Sequence, residues 1–168
     1  MSGTLTINSS GDGQLLSGHS WIEYAPDGGA AHTYGTWGNN PLGEGNGLHM
    51  DLEQGRNGDA QRSMHLDDEQ ERRLMATIEE YQKKGPDGWG YLSPCSTFAA
   101  DAWEAATGER LATRSYGVVS NPSKLKESIE AANGKDEASA RATLDTRPAS
   151  SRRQIGEAVE RCSTSSGW

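Results

Sequence analysis

Apolar and polar residues alternate in several short stretches of the first 66 residues, which is the pattern of strands that bury one face. The turn sequence Pro26-Asp27-Gly28-Gly29 separates two of these stretches and predicts a β-hairpin. The predicted strands are residues 4–7, 18–24, 31–37, 48–52 and 61–66. We therefore expect a small antiparallel sheet of four to six strands.

The spacing of apolar residues changes to three and four after residue 66, which predicts helices. Asp67 and Gln70 have the spacing of a capping box, and Gly85-Pro86 predicts the end of this first helix. Its apolar stripe is Leu74, Ile78 and Tyr81. A later helix is predicted to begin at Asn121-Pro122. Its inward-facing residues are expected to be Leu125, Ile129 and Ala132.

A helix between these two is predicted to carry Cys95 in its first turn. Ser93 is a good N-cap, Pro94 suits the first helical position, and Gly108 predicts the C-terminal end. Unpaired N–H groups and the helix dipole at that end favour a thiolate, the nucleophilic form of cysteine. Small residues at helical spacing from Cys95 should let the helix lie close to a sheet: Ala99, Ala102 and Ala106.

Composition narrows the classes of protein. Only 33% of the 168 residues are hydrophobic, mean hydropathy is −0.80 and the net charge is −8, so neither a nucleic acid nor an anionic membrane is an expected partner. No apolar run reaches transmembrane length, and the N-terminus lacks the form of a signal peptide. We expect synthesis in the cytoplasm without a signal peptide. The composition changes at Gly134, which predicts a catalytic domain over residues 1–133 and a helical tail over 134–168, with an amphipathic piece at 151–162.

Four histidines are available as partners for the Cys95 thiol: His19, His32, His49 and His65. A nucleophilic cysteine needs a nearby imidazole, and that imidazole needs a polar group to hold its tautomer. Asp51 with three of these histidines is an alternative metal site, but no close pair has the usual spacing of zinc ligands. We therefore predict no metal and no cofactor.

Two motifs resemble a known family. Gly-His-Ser-Trp-Ile-Glu-Tyr at 18–24, followed by the glycine turn and a second histidine, resembles the histidine hairpin of NlpC-like papain-fold enzymes. Pro-Cys-Ser-Thr-Phe-Ala-Ala-Asp-Ala-Trp at 94–103 resembles the cysteine helix of the circularly permuted branch. That branch includes lecithin:retinol acyltransferase-like proteins and bacterial hydrolases and toxins. The resemblance covers residues 18–111 and implies an α+β, papain-like fold with the cysteine helix packed on one face of the sheet.

The resemblance also implies roles for individual residues. Cys95 would be the nucleophile, His19 the general base, and His32 the polar residue that orients the base. The hairpin is slightly longer than the usual form in the family, so Thr36 and Tyr34 remain alternatives for the third role. A two-residue turn at Asp27-Gly28 would place Thr36 opposite His19 and His32 farther along the same face.

Glycine-flanked aromatic residues border the predicted site and suit a substrate groove. We expect Trp37, Trp89 and Tyr91, together with Thr36, to bind substrate.

The resemblance implies a cysteine peptidase or amidase that cleaves an amide bond, first of all in peptidoglycan peptides. It would suit an antibacterial effector toxin delivered by a type VI-like secretion system, acting in a target-cell periplasm and bound by an immunity protein. The alternatives are an acyltransferase, a thioesterase or a protein deamidase with the same Cys/His site, and a non-catalytic binding module in which Cys95 is a packing residue.

Overall fold

The computed structural model describes residues 2–11, 18–38, 45–90, 94–115 and 119–145. Within them, five strands form one antiparallel sheet in the order β4-β3-β2-β1-β5. The strands are β1 Gly3–Ser10, β2 His19–Pro26, β3 His32–Trp37, β4 Gly47–Met50 and β5 Ala60–Leu66. Each of these five strands overlaps a stretch that was predicted from the sequence to be a strand. Two further short strands, β6 Arg114–Ser115 and β7 Val119–Ser120, pair with each other.

The alternating pattern has the expected physical consequence in the central strands. Leu5 and Ile7 are fully buried on β1, whereas the alternate residues Thr4 and Thr6 are only partly buried. Ile7 is paired with Ile22 of β2, which is also fully buried. One face of the sheet therefore contributes its apolar side chains to the core.

Helix α1, Asp68–Lys84, begins and ends as its sequence predicts. The capping box is complete: the Asp67 carboxylate accepts from the backbone of Gln70, and the Gln70 side chain accepts from the backbone N–H of Asp67. The helix ends at Gly85, where a 3₁₀ turn, Gly85–Gly88, follows. Its buried residues are the predicted stripe of Leu74, Ile78 and Tyr81.

Helix α2, Cys95–Thr107, carries the cysteine at its first position. Pro94 is the N-cap residue, one position later than the cap predicted at Ser93, and Cys95 therefore opens the helix. Gly108 ends it in the left-handed conformation, with φ of 75°, as predicted. The small-residue stripe of Ala99, Ala102 and Ala106 is fully buried, so the helix lies close against its neighbours.

Helix α3, Pro122–Asp145, is opened by the Asn121 side chain, which accepts from the backbone N–H of Lys124 at 2.8 Å. The chain divides into two compact units, residues 1–131 and 132–168. Gly134, where composition changes, lies inside α3 and not at its end. The amphipathic stretch predicted at 151–162 lies outside the described residues.

The described part of the chain is thus an α+β protein with a five-stranded antiparallel sheet and three α-helices. None of these helices combines the length and the apolar character needed to cross a membrane.

The β2–β3 hairpin differs in register from the one predicted. Five residues, 27–31, separate the two strands, and Tyr24 pairs with His32. The predicted two-residue turn would have shifted this pairing by one residue. Extending the observed register pairs His19 with Trp37 instead of Thr36. A shift of one residue transfers every side chain of a strand to the opposite face, and this decides which residues reach His19.

Candidate active site

The candidate site lies where β2 begins and β3 ends. His19 is the first residue of β2, Trp37 is the last of β3, and Cys95 is the first of α2. His19 and Cys95 are both buried, with 9% and 6% of each residue exposed, and both line the same cavity. The nucleophile and base that the sequence proposed are therefore brought to the same cavity.

Glu53 is the third member of this cluster. Its carboxylate is fully buried, and its Oε1 accepts a hydrogen bond from His19 Nε2 at 2.7 Å. The same oxygen accepts from Trp37 Nε1 at 2.7 Å, and Oε2 accepts from Thr33 Oγ1 at 3.2 Å. Because Nε2 of His19 binds the carboxylate, Nδ1 is the ring nitrogen left for the Cys95 thiol. The arrangement is a Cys–His–Glu triad.

The turn after β4 carries Glu53 back onto the sheet. Asp51 begins this turn with a φ of 67°, a left-handed conformation, and its backbone N–H donates to the Thr33 carbonyl at 2.9 Å. The Asp51 carboxylate accepts from the backbone N–H of Thr33 at 3.1 Å. Gly35 leaves room for the Glu53 carboxylate, because a Cβ at this position would overlap Glu53 Oε1 and lie 3.1 Å from His19 Nε2. A residue larger than glycine would separate the carboxylate from its place beside the imidazole.

The electrostatics of the pair favour a charged imidazole. Burial by itself would lower the pKa of His19, but hydrogen bonds with Cys95 and Glu53 and the attraction of both groups outweigh it and raise the pKa from 6.5 to about 9. Burial would likewise raise the pKa of Glu53, yet the pairing with His19 and the donors from Trp37 and Thr33 hold it below its usual value. The raised pKa of His19 and the lowered pKa of Glu53 both favour an imidazolium–carboxylate pair at neutral pH.

The prediction that His32 orients the base is wrong for this structure. His32 Nδ1 lies 3.0 Å from Asp51 Oδ2, and its half-exposed side chain belongs to that ion pair. Its pairing with Tyr24 puts it on the face of the hairpin opposite His19. Neither Thr36 nor Tyr34 binds His19 either, since Glu53 occupies Nε2. Glu53 carries no recognisable signal in the sequence, because a glutamate in a polar turn has the same local pattern as any solvated surface residue.

Three of the four expected substrate-binding residues line a cavity beside the cysteine. The cavity has a volume of about 220 Å³, and its lining includes His19, Cys95, Thr36, Trp37 and Trp89. Trp37 serves the triad as well, since its ring centroid lies 4.1 Å from that of His19. Trp89 packs against Gly38, where any Cβ would meet the indole ring. Tyr91, also predicted to bind substrate, lies outside the described residues.

The remaining histidines do not join the triad. His49 Nε2 donates to the carbonyl of Gly45 at 2.8 Å, and His65 lies 3.7 Å from the Asp27 carboxylate on an exposed surface. Among the described residues, no three His, Cys, Asp or Glu side chains gather in a way that would hold a metal ion.

The chain matches no protein-family model, and no significant match appears among curated proteins or among solved structures. The chemistry of the site therefore rests on its own geometry.

Proposed function

We propose that the protein is a cysteine hydrolase that cleaves amide bonds, with Cys95 as nucleophile, His19 as general base and acid, and Glu53 as the group that orients His19. The observation that carries the proposal is that Cys95 and His19 line one cavity and that His19 binds the fully buried Glu53. A buried carboxylate that binds an imidazole, which in turn binds a thiol, is the arrangement that activates a nucleophile.

The geometry supports a definite sequence of steps. The Cys95 thiolate attacks the carbonyl carbon, and the negative charge that develops on oxygen is stabilised by the unpaired N–H groups at the start of α2. His19, protonated at Nδ1, then gives its proton to the leaving amine, and a thioester remains on Cys95. His19 next takes a proton from water, which hydrolyses the thioester and frees the cysteine. Glu53 keeps the Nε2 proton in place throughout.

A papain-like arrangement of the permuted NlpC-like kind is part of the proposal. It is supported by the histidine hairpin, by the antiparallel sheet that contains this hairpin and by the cysteine at a helix start. The resemblance makes peptidoglycan peptides the first substrate to test, and an effector toxin with an immunity partner the biological setting. The aromatic residues Trp37 and Trp89 on the cavity suit a groove for such a peptide.

The test is digestion of purified peptidoglycan sacculi by the full chain, with released fragments identified by mass spectrometry. We expect Cys95→Ala to abolish fragment release and to keep the fold, because alanine suits a helix that already buries an alanine stripe. Cys162→Ala, at the other cysteine of the chain, is the matched control and should release fragments at the wild-type rate.

Release of peptide fragments by Cys95→Ala at the wild-type rate would refute the nucleophile assignment. Acyl transfer to an added amine, with no hydrolysis, would instead favour the acyltransferase alternative. A Cys95 that reacts with iodoacetamide no faster than free cysteine would favour the binding module.

A further inference from the structure

Thr36 has a buried hydroxyl that the protein itself does not satisfy. The residue is fully buried, it lines the cavity that also holds Cys95 and His19, and its Oγ1 has no hydrogen-bond partner among the described residues. Among the described residues with an unpartnered buried side-chain atom, Thr36 is the one on the lining of this cavity.

Two other pairs of buried hydroxyls among the described residues are bonded to each other. Ser9 and Ser20 share a hydrogen bond of 2.8 Å, and Ser96 and Ser120 share one of 3.0 Å. A buried donor left unsatisfied is costly, so an isolated hydroxyl at Thr36 lowers the stability of the free protein. A ligand in the cavity that presents an acceptor would remove this cost.

We propose that the Thr36 hydroxyl donates a hydrogen bond to the oxygen of an acyl group under attack by Cys95, and so forms one side of the oxyanion hole. The inference rests on the proposed function. The start of α2 supplies N–H donors from one wall, and Thr36 supplies an O–H from β3. Oxyanion holes use more than one donor because the charge on oxygen develops only in the transition state, where preorganised donors have their largest effect.

The test compares two reagents that both consume the Cys95 thiolate. With 4-nitrophenyl acetate, Cys95 Sγ bonds to the carbonyl carbon, the π pair moves to oxygen, and collapse of this oxyanion expels 4-nitrophenolate. With iodoacetamide, Sγ displaces iodide at a saturated carbon and no oxyanion forms. A group that stabilises the oxyanion therefore affects the first rate and not the second.

We expect Thr36→Val to slow acetylation of Cys95 by roughly ten- to a hundredfold and to leave alkylation by iodoacetamide within about twofold of wild type. Thr36→Ser keeps the hydroxyl and should restore most of the acetylation rate. Thr36→Val should melt no lower than wild type, because the hydroxyl it removes has no partner in the free protein. Thr36→Ala removes the same hydroxyl and provides a second measurement if the valine variant fails to fold.

Acetylation of Thr36→Val and Thr36→Ala at the wild-type rate would overturn the inference. Equal slowing of acetylation and alkylation would also overturn it, since Thr36 would then act on the thiol and not on the oxyanion. The proposed function fails by a different result, namely wild-type release of nitrophenolate by Cys95→Ala.

Discussion

Glu53→Gln tests the least expected member of the site with little change of shape. The amide oxygen can still accept from His19 and Trp37, and the amide nitrogen can donate to the Thr33 hydroxyl. The substitution therefore removes the charge and keeps the packing. What is lost is the attraction between the carboxylate and the His19 imidazolium.

The size of the loss follows from the pKa of His19. Its rise from 6.5 to about 9 corresponds to about 3 kcal/mol in favour of the imidazolium, since one pKa unit is worth about 1.4 kcal/mol. Cys95 and Glu53 share this stabilisation. We expect Glu53→Gln to lower the free energy of unfolding by about 1–2 kcal/mol, a range that reflects the remaining hydrogen bonds and the freedom of His19 to lose its proton.

The pH dependence has a definite sign. A raised histidine pKa contributes stability that is fully present below 6.5 and is lost as the pH rises through about 9. The lowered pKa of Glu53 contributes stability that is present above its usual value of 4.5 and is lost as the pH falls through the lowered value. The difference between wild type and Glu53→Gln should therefore be largest between 4.5 and 6.5 and should approach zero above 9.

The assay is urea unfolding of both proteins at about pH 6 and about pH 9.5, with the free energies extrapolated to water. Glu109→Gln is the matched control, because Glu109 also accepts from a tryptophan, Trp103, but its charged partner is Arg62. Arginine keeps its charge throughout this range, so the loss in the control should not change with pH. A loss for Glu53→Gln that is the same at both pH values would refute the imidazolium pair.

Two further substitutions separate the triad from its surroundings. Gly35→Ala should lower the free energy of unfolding by about 1–3 kcal/mol and slow alkylation of Cys95, because the added methyl group displaces the Glu53 carboxylate. Urea unfolding measures this loss of stability. Gly134→Ala is the control and should not destabilise the protein, because a Cβ at that position meets nothing within 4 Å. His32→Ala should cost less than about 1 kcal/mol and leave Cys95 alkylation within about threefold of wild type, because its ion pair with Asp51 is half-exposed. A loss of alkylation in His32→Ala as large as in Glu53→Gln would restore His32 to the site.

The local sequence determined the main strands and helices and the positions of two site residues, Cys95 and His19. Alternation predicted the five strands of the main sheet, the pair Asp67 and Gln70 predicted the start of α1, and Gly108 predicted the end of α2. The Cys95 position at a helix start follows from residues next to it in the chain. These signals are local because capping and strand alternation act over a few residues.

The third member of the triad was decided by tertiary structure alone. Glu53 lies 34 residues after His19 in the chain, and only the placement of β4 beside β3 brings its turn onto the start of β2. His32 was the wrong choice because the hairpin register depends on the loop conformation over residues 27–31, which the turn sequence does not specify uniquely. The sequence by itself thus determined where the thiol and the imidazole lie within their elements, whereas long-range packing determined which carboxylate is buried beside them.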